Sequence, residues 1–281
     1  MTNLDIDTLR TWEGRSQKTS DQVGLTPVHA LSATLDRDPG VIKEGDRLPP
    51  LWHWLYCREL ALQNNLDTDG HQRRGDFLPP SPFPRRMWAG GRILFEGDIL
   101  IGEPIERTST IKHVAHKEGR RGPLLLVTIE HTITGATGKI VEEQDLVFLE
   151  QPKGPLDLRP SPAPEEPCDW SEQVTPSVAM LFRFSALTFN AHRIHYDRDY
   201  ARDVEFYPGL VVHGPLTALL LADFANRNTE QRLSRFNFRA HRPMFVDRTM
   251  NLDGRKVDDG LKLRVLDDSG SITMTANATI T

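Results

Sequence analysis

At 281 residues, 38% of them hydrophobic, the chain can bury a sizeable core as one large domain or two small ones. Its formal charge of −5, with no basic stripe or cluster, argues against a nucleic-acid-binding surface. Two cysteines far apart, Cys57 and Cys168, make neither a disulfide framework nor a metal-ligand spacing, and 20 prolines suit a β-rich chain with many turns.

The first residues, Met-Thr-Asn-Leu-Asp-Ile-Asp, lack the basic start and apolar run of a secretory signal. No apolar run is long enough to span a bilayer, so the chain is expected in the cytoplasm, with no membrane partner. Residues 4–12 read as a short helix, and 27–35 as another with Thr26 as its N-cap. The strongly apolar face of residues 52–63 predicts a third helix. A loop rich in Gly, Pro and charge runs from Asp67 to Pro84. Strand patterns follow at 91–101, 107–116, 123–133 and 139–149, punctuated by Gly119 and Gly135. Residues 151–170 have the composition of a linker, which separates an N-terminal half, 1–150, from a C-terminal half, 171–281.

The order then recurs. An apolar strand is expected at 177–184, then a loop, a helix at 215–226, and strands at 234–239, 248–257, 261–266 and 271–280. Helix 215–226 is apolar nearly all round, as a buried helix is. Each half therefore reads as one helix followed by an antiparallel meander, with helices 52–63 and 215–226 in corresponding places. A sheet wrapped around one buried helix is the hot-dog arrangement. Two copies in one chain predict an α+β double hot-dog, two antiparallel sheets each around a central helix, paired edge to edge.

The stretch 184–226 carries the chemistry. A polar loop holds Asn190, His192 and His195, and His213-Gly214-Pro215 opens the apolar helix. A helix start offers unpaired backbone N–H groups and the positive end of the dipole, and Pro suits the first turn. A histidine loop beside such a start suits chemistry on a thioester or ester carbonyl.

Further residues carry a family resemblance. They are Leu48-Pro-Pro-Leu-Trp-His-Trp, Phe77-Leu-Pro-Pro, Pro84-Arg-Arg-Met-Trp-Ala-Gly-Gly-Arg, Glu142-Glu-Gln-Asp, Phe189-Asn-Ala-His-Arg-Ile-His-Tyr-Asp and Leu210-Val-Val-His-Gly-Pro. With them the chain resembles the MaoC-like double hot-dog enoyl-CoA hydratases. It is most similar to mesaconyl-C4-CoA and itaconyl-CoA hydratases and to hydroxyacyl-thioester dehydratases type 2. In the broader family's motif, Asp-x-Asn-Pro-x-His, Asn190 takes the Asp place, His192 the Asn place, Arg193 the Pro place and His195 the His place. An amide cannot exchange a proton as a carboxylate does. The resemblance implies that the Gly214 N–H binds the thioester oxygen, and that acyl-CoA is the substrate of a homo-oligomer.

On this reading His195 is the base that takes a proton from water, Gly214 stabilises the enolate oxygen, and Asn190 orients the water. His213 reads as a hydrogen bonder at the helix start and is kept among the substrate-binding residues with Arg85, Arg86, Met87 and Trp88, whose place in a Gly/Pro loop suits the rim of an acyl-CoA pocket. His192 reads as structural, and Asp197 and Asp199 as capping or solvating the next turn. His53, His71, His113, His116, His131 and His241 are scattered and take no role. No cofactor and no metal are expected. The expected activity is a hydro-lyase adding water to a short, carboxylated enoyl-CoA such as mesaconyl-C4-CoA or itaconyl-CoA. An acyl-CoA thioesterase and a non-catalytic acyl-CoA-binding protein are the alternatives.

Overall fold

The computed structural model describes residues 6–119, 122–162, 164 and 166–281. In chain order these form α1 (Ile6–Arg10), β1 (Ser16–Gln22), α2 (Leu25–Thr34), β2 (Arg85–Gly97), β3 (Pro104–Gly119), β4 (Gly122–Thr134) and β5 (Gly138–Leu149). Then come β6 (Trp170–Val174), α3 (Val178–Thr188), α4 (Arg198–Asp203), α5 (Gly214–Arg227), β7 (Leu233–Ala240), β8 (Met250–Val257), β9 (Gly260–Leu266) and β10 (Ile272–Ile280). The strands expected in the two meanders are present as β2 to β5 and β7 to β10, with β2 beginning at Arg85 rather than 91, whereas β1 and β6 were not expected.

The strands make one antiparallel 10-stranded sheet in the order β1-β3-β4-β5-β2-β7-β10-β9-β8-β6. The order is symmetric about its centre, so two five-stranded halves of like topology meet edge to edge where Gly90–Leu94 of β2 pairs with Arg235–Arg239 of β7. A Cβ on Gly90 would lie 2.6 Å from the Phe238 carbonyl oxygen, so this join requires glycine. This is the double hot-dog arrangement, with the two sheets fused into one.

α5 is buried from Leu216 to Ala225 and packs on β7 to β10, against Phe236, Leu252, Leu263, Val265 and Met274. Its one buried acid, Asp223, is paired by Arg37 from beyond the join and by Arg227. A lone charge there would be costly.

Four sequence readings need correction. Residues 177–184 are not a strand: Ser177 caps α3 by accepting from the Met180 N–H. The run Val-Ala-Met-Leu-Phe is apolar enough for either state, and periodicity alone cannot separate them. The helix expected at 52–63 is a single 3-10 turn, Trp52–Leu55. The Cys57 N–H, needed to continue it, is bonded to Asp21 Oδ2 at 2.7 Å, and Leu60 and Leu62 are exposed. Matching backbone bonds mark this turn as the counterpart of the start of α5: Leu48 N–H to Ile99 O at 2.8 Å, and Val212 N–H to Met244 O at 2.8 Å. Only the C-terminal half therefore wraps a long central helix. α2 begins after Gly24 with no side-chain cap, so Thr26 is not its N-cap. Finally, Arg85-Arg86-Met87-Trp88 lie not in a loop but on β2, opposite Leu149 to Leu146 of β5.

Candidate active site

The segment from α3 to α5 arranges the site. After α3 ends at Phe189 in the left-handed conformation, the Asn190 side-chain oxygen accepts the His192 N–H at 3.0 Å, which fixes the turn. His195 then points inward from a 3-10 turn, 6% exposed. Its Nδ1 lies 2.7 Å from the Val211 carbonyl oxygen. A carbonyl only accepts, so Nδ1 carries the proton and Nε2 keeps its lone pair. Burial pushes the His195 pKa down to about 4, against the opposing Val211 bond, so the imidazole is neutral at pH 7. Asp197 caps α4, accepting from the Tyr200 N–H.

His213 is fully buried and does not reach the cavity, which corrects its place among the substrate-binding residues. Its ring stacks on His195 with centroids 3.6 Å apart, and its Nε2 meets Ser185 Oγ at 2.8 Å. It backs the His195 ring. Because Gly214 follows directly and begins α5, an N–H with no acceptor among the described residues stands beside the imidazole. A Cβ built on Gly214 would lie 3.7 Å from the Trp88 carbonyl oxygen, so β2 of the other half borders the same spot.

One cavity of about 1370 Å³ takes in both halves, and its wall includes Asn190, His192, His195, Gly214, Arg86 and Trp88. Arg85 and Met87 also line it, but Arg85 is engaged: Nε donates to Glu205 at 2.6 Å and Nη2 to the Tyr207 hydroxyl at 2.7 Å. Arg86 makes no hydrogen bond or close ion pair among the described residues, and burial lowers its pKa.

Two residues given no role in the sequence reading enter here. Residues 67–72 form a tight turn closed by a bridge between Leu66 and Gln72. This turn docks on the histidine loop: the Arg193 N–H bonds to Asp69 O at 2.9 Å and Arg193 Nη1 to Thr68 O at 3.1 Å. Gly70 has φ +91°, and a Cβ on it would sit 1.9 Å from the Ala191 carbonyl oxygen. The docked turn delivers Asp69 and His71. Asp69 accepts both the His71 N–H at 2.8 Å and Nδ1–H at 2.9 Å, and the His71 ring lies 4.2 Å from that of His192. His192 lies 5.4 Å from His195, so the imidazoles run in a row from His71 to His213. Burial takes the His71 pKa down to about 4. It also holds His192 and His213 well below the usual histidine range. Replacing Gly70 with alanine must undock this turn. We expect a loss of roughly 1–3 kcal/mol in thermal unfolding, together with a fall in turnover.

The signature of hydroxyacyl-thioester dehydratase type 2 matches residues 51–246. The chain belongs to this family. A mesaconyl-C(4)-CoA hydratase of Chloroflexus aurantiacus is 41% identical over 269 residues, covering 94% of this chain and 95% of that one. The mitochondrial hydroxyacyl-thioester dehydratase type 2 of Schizosaccharomyces pombe is 26% identical, covering 83% and 87%. Among solved structures, a MaoC-like dehydratase superposes with a TM-score of 0.71 at 12% identity, covering 96% of this chain and 99% of that one. A double hot-dog protein of Mycobacterium tuberculosis does so at 0.59 and 13%, covering 95% and 96%.

In this dehydratase-family chain the cavity wall from β3 to β5 carries a polar patch, Arg107, His131, Glu142 and Gln144, among Ile105, Ile129, Ile133 and Leu146. Ser109, His131 and Glu142 stand in one row across β3, β4 and β5. His131 bridges Ser109 Oγ at 2.8 Å and Gln144 Oε1 at 3.1 Å, while Glu142 accepts from His53 at 2.9 Å and Trp54 at 3.0 Å. Burial works to raise the Glu142 pKa, but the hydrogen bonds from His53 and Trp54 and the neighbouring imidazoles together hold it below the usual carboxylate range. Arg107, also on this wall, has a buried Nε with no hydrogen-bond partner among the described residues. The corresponding sheet face under α5 is apolar. Where the C-terminal half has α5, this half has only the turn Trp52–Leu55, and the polar patch lines the cavity. In sequence Ser109, His131 and Arg107 look like ordinary strand positions; Glu142 and Gln144 stand in a stretch that carries the resemblance, but only the pairing of β3, β4 and β5 brings them together on one face.

Proposed function

We propose that the protein is a hydro-lyase that reversibly adds water to the double bond of a short, carboxylated enoyl-CoA such as mesaconyl-C4-CoA, with itaconyl-CoA a related candidate. One observation carries this reading: a neutral imidazole, His195, with its Nε2 lone pair unused, beside the acceptor-free Gly214 N–H at the start of α5. The thioester oxygen takes the Gly214 N–H. Water gives a proton to His195 Nε2 as its oxygen bonds to the β-carbon, and the π electrons move onto the thioester as an enolate held by that N–H. The imidazolium then returns the proton to the α-carbon. The guanidinium of Arg107 on the cavity wall, buried at Nε, suits the carboxylate end of a short acyl group.

Incubation with crotonyl-, mesaconyl- and itaconyl-CoA, following enoyl absorbance and free thiol together, tests the reading. Loss of absorbance without thiol is expected. Thiol release would instead make the protein a thioesterase, and binding without either change a non-catalytic acyl-CoA-binding protein.

Of the two arginines on the rim, Arg86 is the receptor for an anionic group of the substrate, since Arg85 is held by Glu205 and Tyr207. Arg86→Ala is expected to raise KM about 10-fold with little change in kcat, the mark of lost uniform binding. If the group is the acyl carboxylate, KM rises for mesaconyl-CoA and not for crotonyl-CoA; if a CoA phosphate, for both. Arg85→Ala instead leaves Glu205 buried and unpaired, with a stability loss of about 1–3 kcal/mol measured by denaturant titration.

A further inference from the structure

A base that takes a proton from water becomes an imidazolium, and no carboxylate meets the His195 ring. Among the described residues that ring makes one hydrogen bond, Nδ1–H to the Val211 carbonyl at 2.7 Å, and no ion pair. The rings in contact with it are imidazoles: His192 edge-on at 5.4 Å, and His213 face to face at 3.6 Å with 22° between the planes. His213 is fully buried, with its Nε2 2.8 Å from Ser185 Oγ and its ring 5.0 Å from that of Phe184. We propose that His213 is a positioning residue for the base: pinned by Ser185, its ring fixes the plane of His195, and its π face stabilises the imidazolium that His195 becomes. This rests on the hydratase reading above and deepens it.

The geometry argues for this in three steps. A ring tied only at Nδ1 can still tilt about that bond; a partner lying on its face removes the freedom and leaves Nε2 aimed in one direction. The platform is stiff at both ends. Its carbonyl accepts the Thr217 N–H at 3.0 Å and the Thr217 hydroxyl at 3.2 Å, which sets the backbone as the cap of α5, while Ser185 of α3 holds the tip of the side chain. Finally, the His213 Nδ1 is buried with no hydrogen-bond partner among the described residues. An unpaired buried polar atom is destabilising, and a phenyl ring would cover His195 without it. What the imidazole adds over a phenyl ring is Nε2, the atom that Ser185 pins.

Burial keeps His213 neutral, with its pKa held well below the usual histidine range. It therefore presents π electrons rather than a like charge to the imidazolium, and a cation over such a face is attracted to it. His213 exchanges no proton of its own: the one that His195 takes comes from water and returns to the α-carbon.

The experiment separates the face from the pin. His213→Phe keeps a ring without Nε2, His213→Gln keeps an amide in reach of Ser185 without a ring, and Ser185→Ala keeps the ring without its pin. Each is measured for kcat and KM on the enoyl-CoA that wild type turns over best, with circular dichroism to verify the fold. His213→Gln should lower kcat ~10²-fold with KM nearly unchanged, since alignment of the base acts in the transition state and not in binding. His213→Phe should recover to within about 10-fold of wild type, and Ser185→Ala should lose a few-fold in kcat alone. A His213→Gln enzyme at least as active as His213→Phe overturns the inference, because the ring face then does nothing. So does a loss carried by KM, which would put His213 in substrate binding. If neither His213 variant folds, Ser185→Ala decides: a lower kcat at unchanged KM sustains the inference, and any other result overturns it. A wild type that hydrates no enoyl-CoA overturns the hydratase reading itself, and this inference with it.

Discussion

Replacing His195 with alanine should leave a folded protein that still binds CoA but turns over ~10²–10⁴-fold more slowly, with KM changed little. The imidazole is the group whose free nitrogen is fixed in direction, because its Nδ1–H is committed to the Val211 carbonyl and its ring is stacked on His213. On the proposed mechanism its removal deletes the acceptor for the proton of water. Wild type should also show where this base titrates. Burial depresses its pKa to about 4, so the neutral, active form persists above that value and is lost as pH falls through it. The acidic limb of kcat/KM should therefore lie near pH 4, well below the ordinary histidine value of about 6.5. Stopped assays across pH 3.5–8 on wild type and variant check both parts, within the range where the fold survives. Substantial turnover by the alanine variant would remove His195 from the role of base.

The second large effect is at Gly214. Changing it to proline removes the backbone N–H while keeping a residue suited to the first helical position. The preceding residue, His213, has φ −58° and ψ 129°, a conformation that tolerates a following proline. Turnover should fall ~10²–10³-fold, the size of a lost oxyanion donor. Gly214→Ala is the matched control: it keeps the N–H, and its Cβ would stand at an ordinary 3.7 Å from the Trp88 carbonyl. Alanine should stay within a few-fold of wild type. Equal losses in the two variants would mean that shape at the helix start matters and the N–H does not. Steady-state kinetics with circular dichroism to verify α5 decides between them.

The strands of both meanders were legible because their alternation marks one buried face. Leu261-Lys-Leu-Arg-Val-Leu can bury every second side chain only as a strand, and β9 does so. α5 was legible for the opposite reason, since a run with almost no polar face can only be interior. The spacing of Asn190, His195 and Gly214 was equally local. All three sit on one continuous stretch, so the sequence placed them in one site and the structure lines one cavity with them.

What failed was whatever depended on a partner distant in the chain. Residues 177–184 and 52–63 are apolar segments whose state is chosen by what they pack against, and in the second Asp21 takes the N–H that a longer helix would need. Arg85 and Arg86 look equivalent as neighbours, but successive residues on a strand face opposite ways, and Glu205 and Tyr207 meet only the first. Asp69 and His71 lie in a polar turn with no periodic signal; the one hint is an Asp-Gly-His sequence suited to a tight turn. Sequence alone determined the double hot-dog, the motif loop and the helix start, because periodicity and spacing are properties of contiguous residues. Tertiary structure alone decided that a turn from one half closes on the motif of the other, because only the edge-to-edge join of the two sheets brings Gly70 against Ala191.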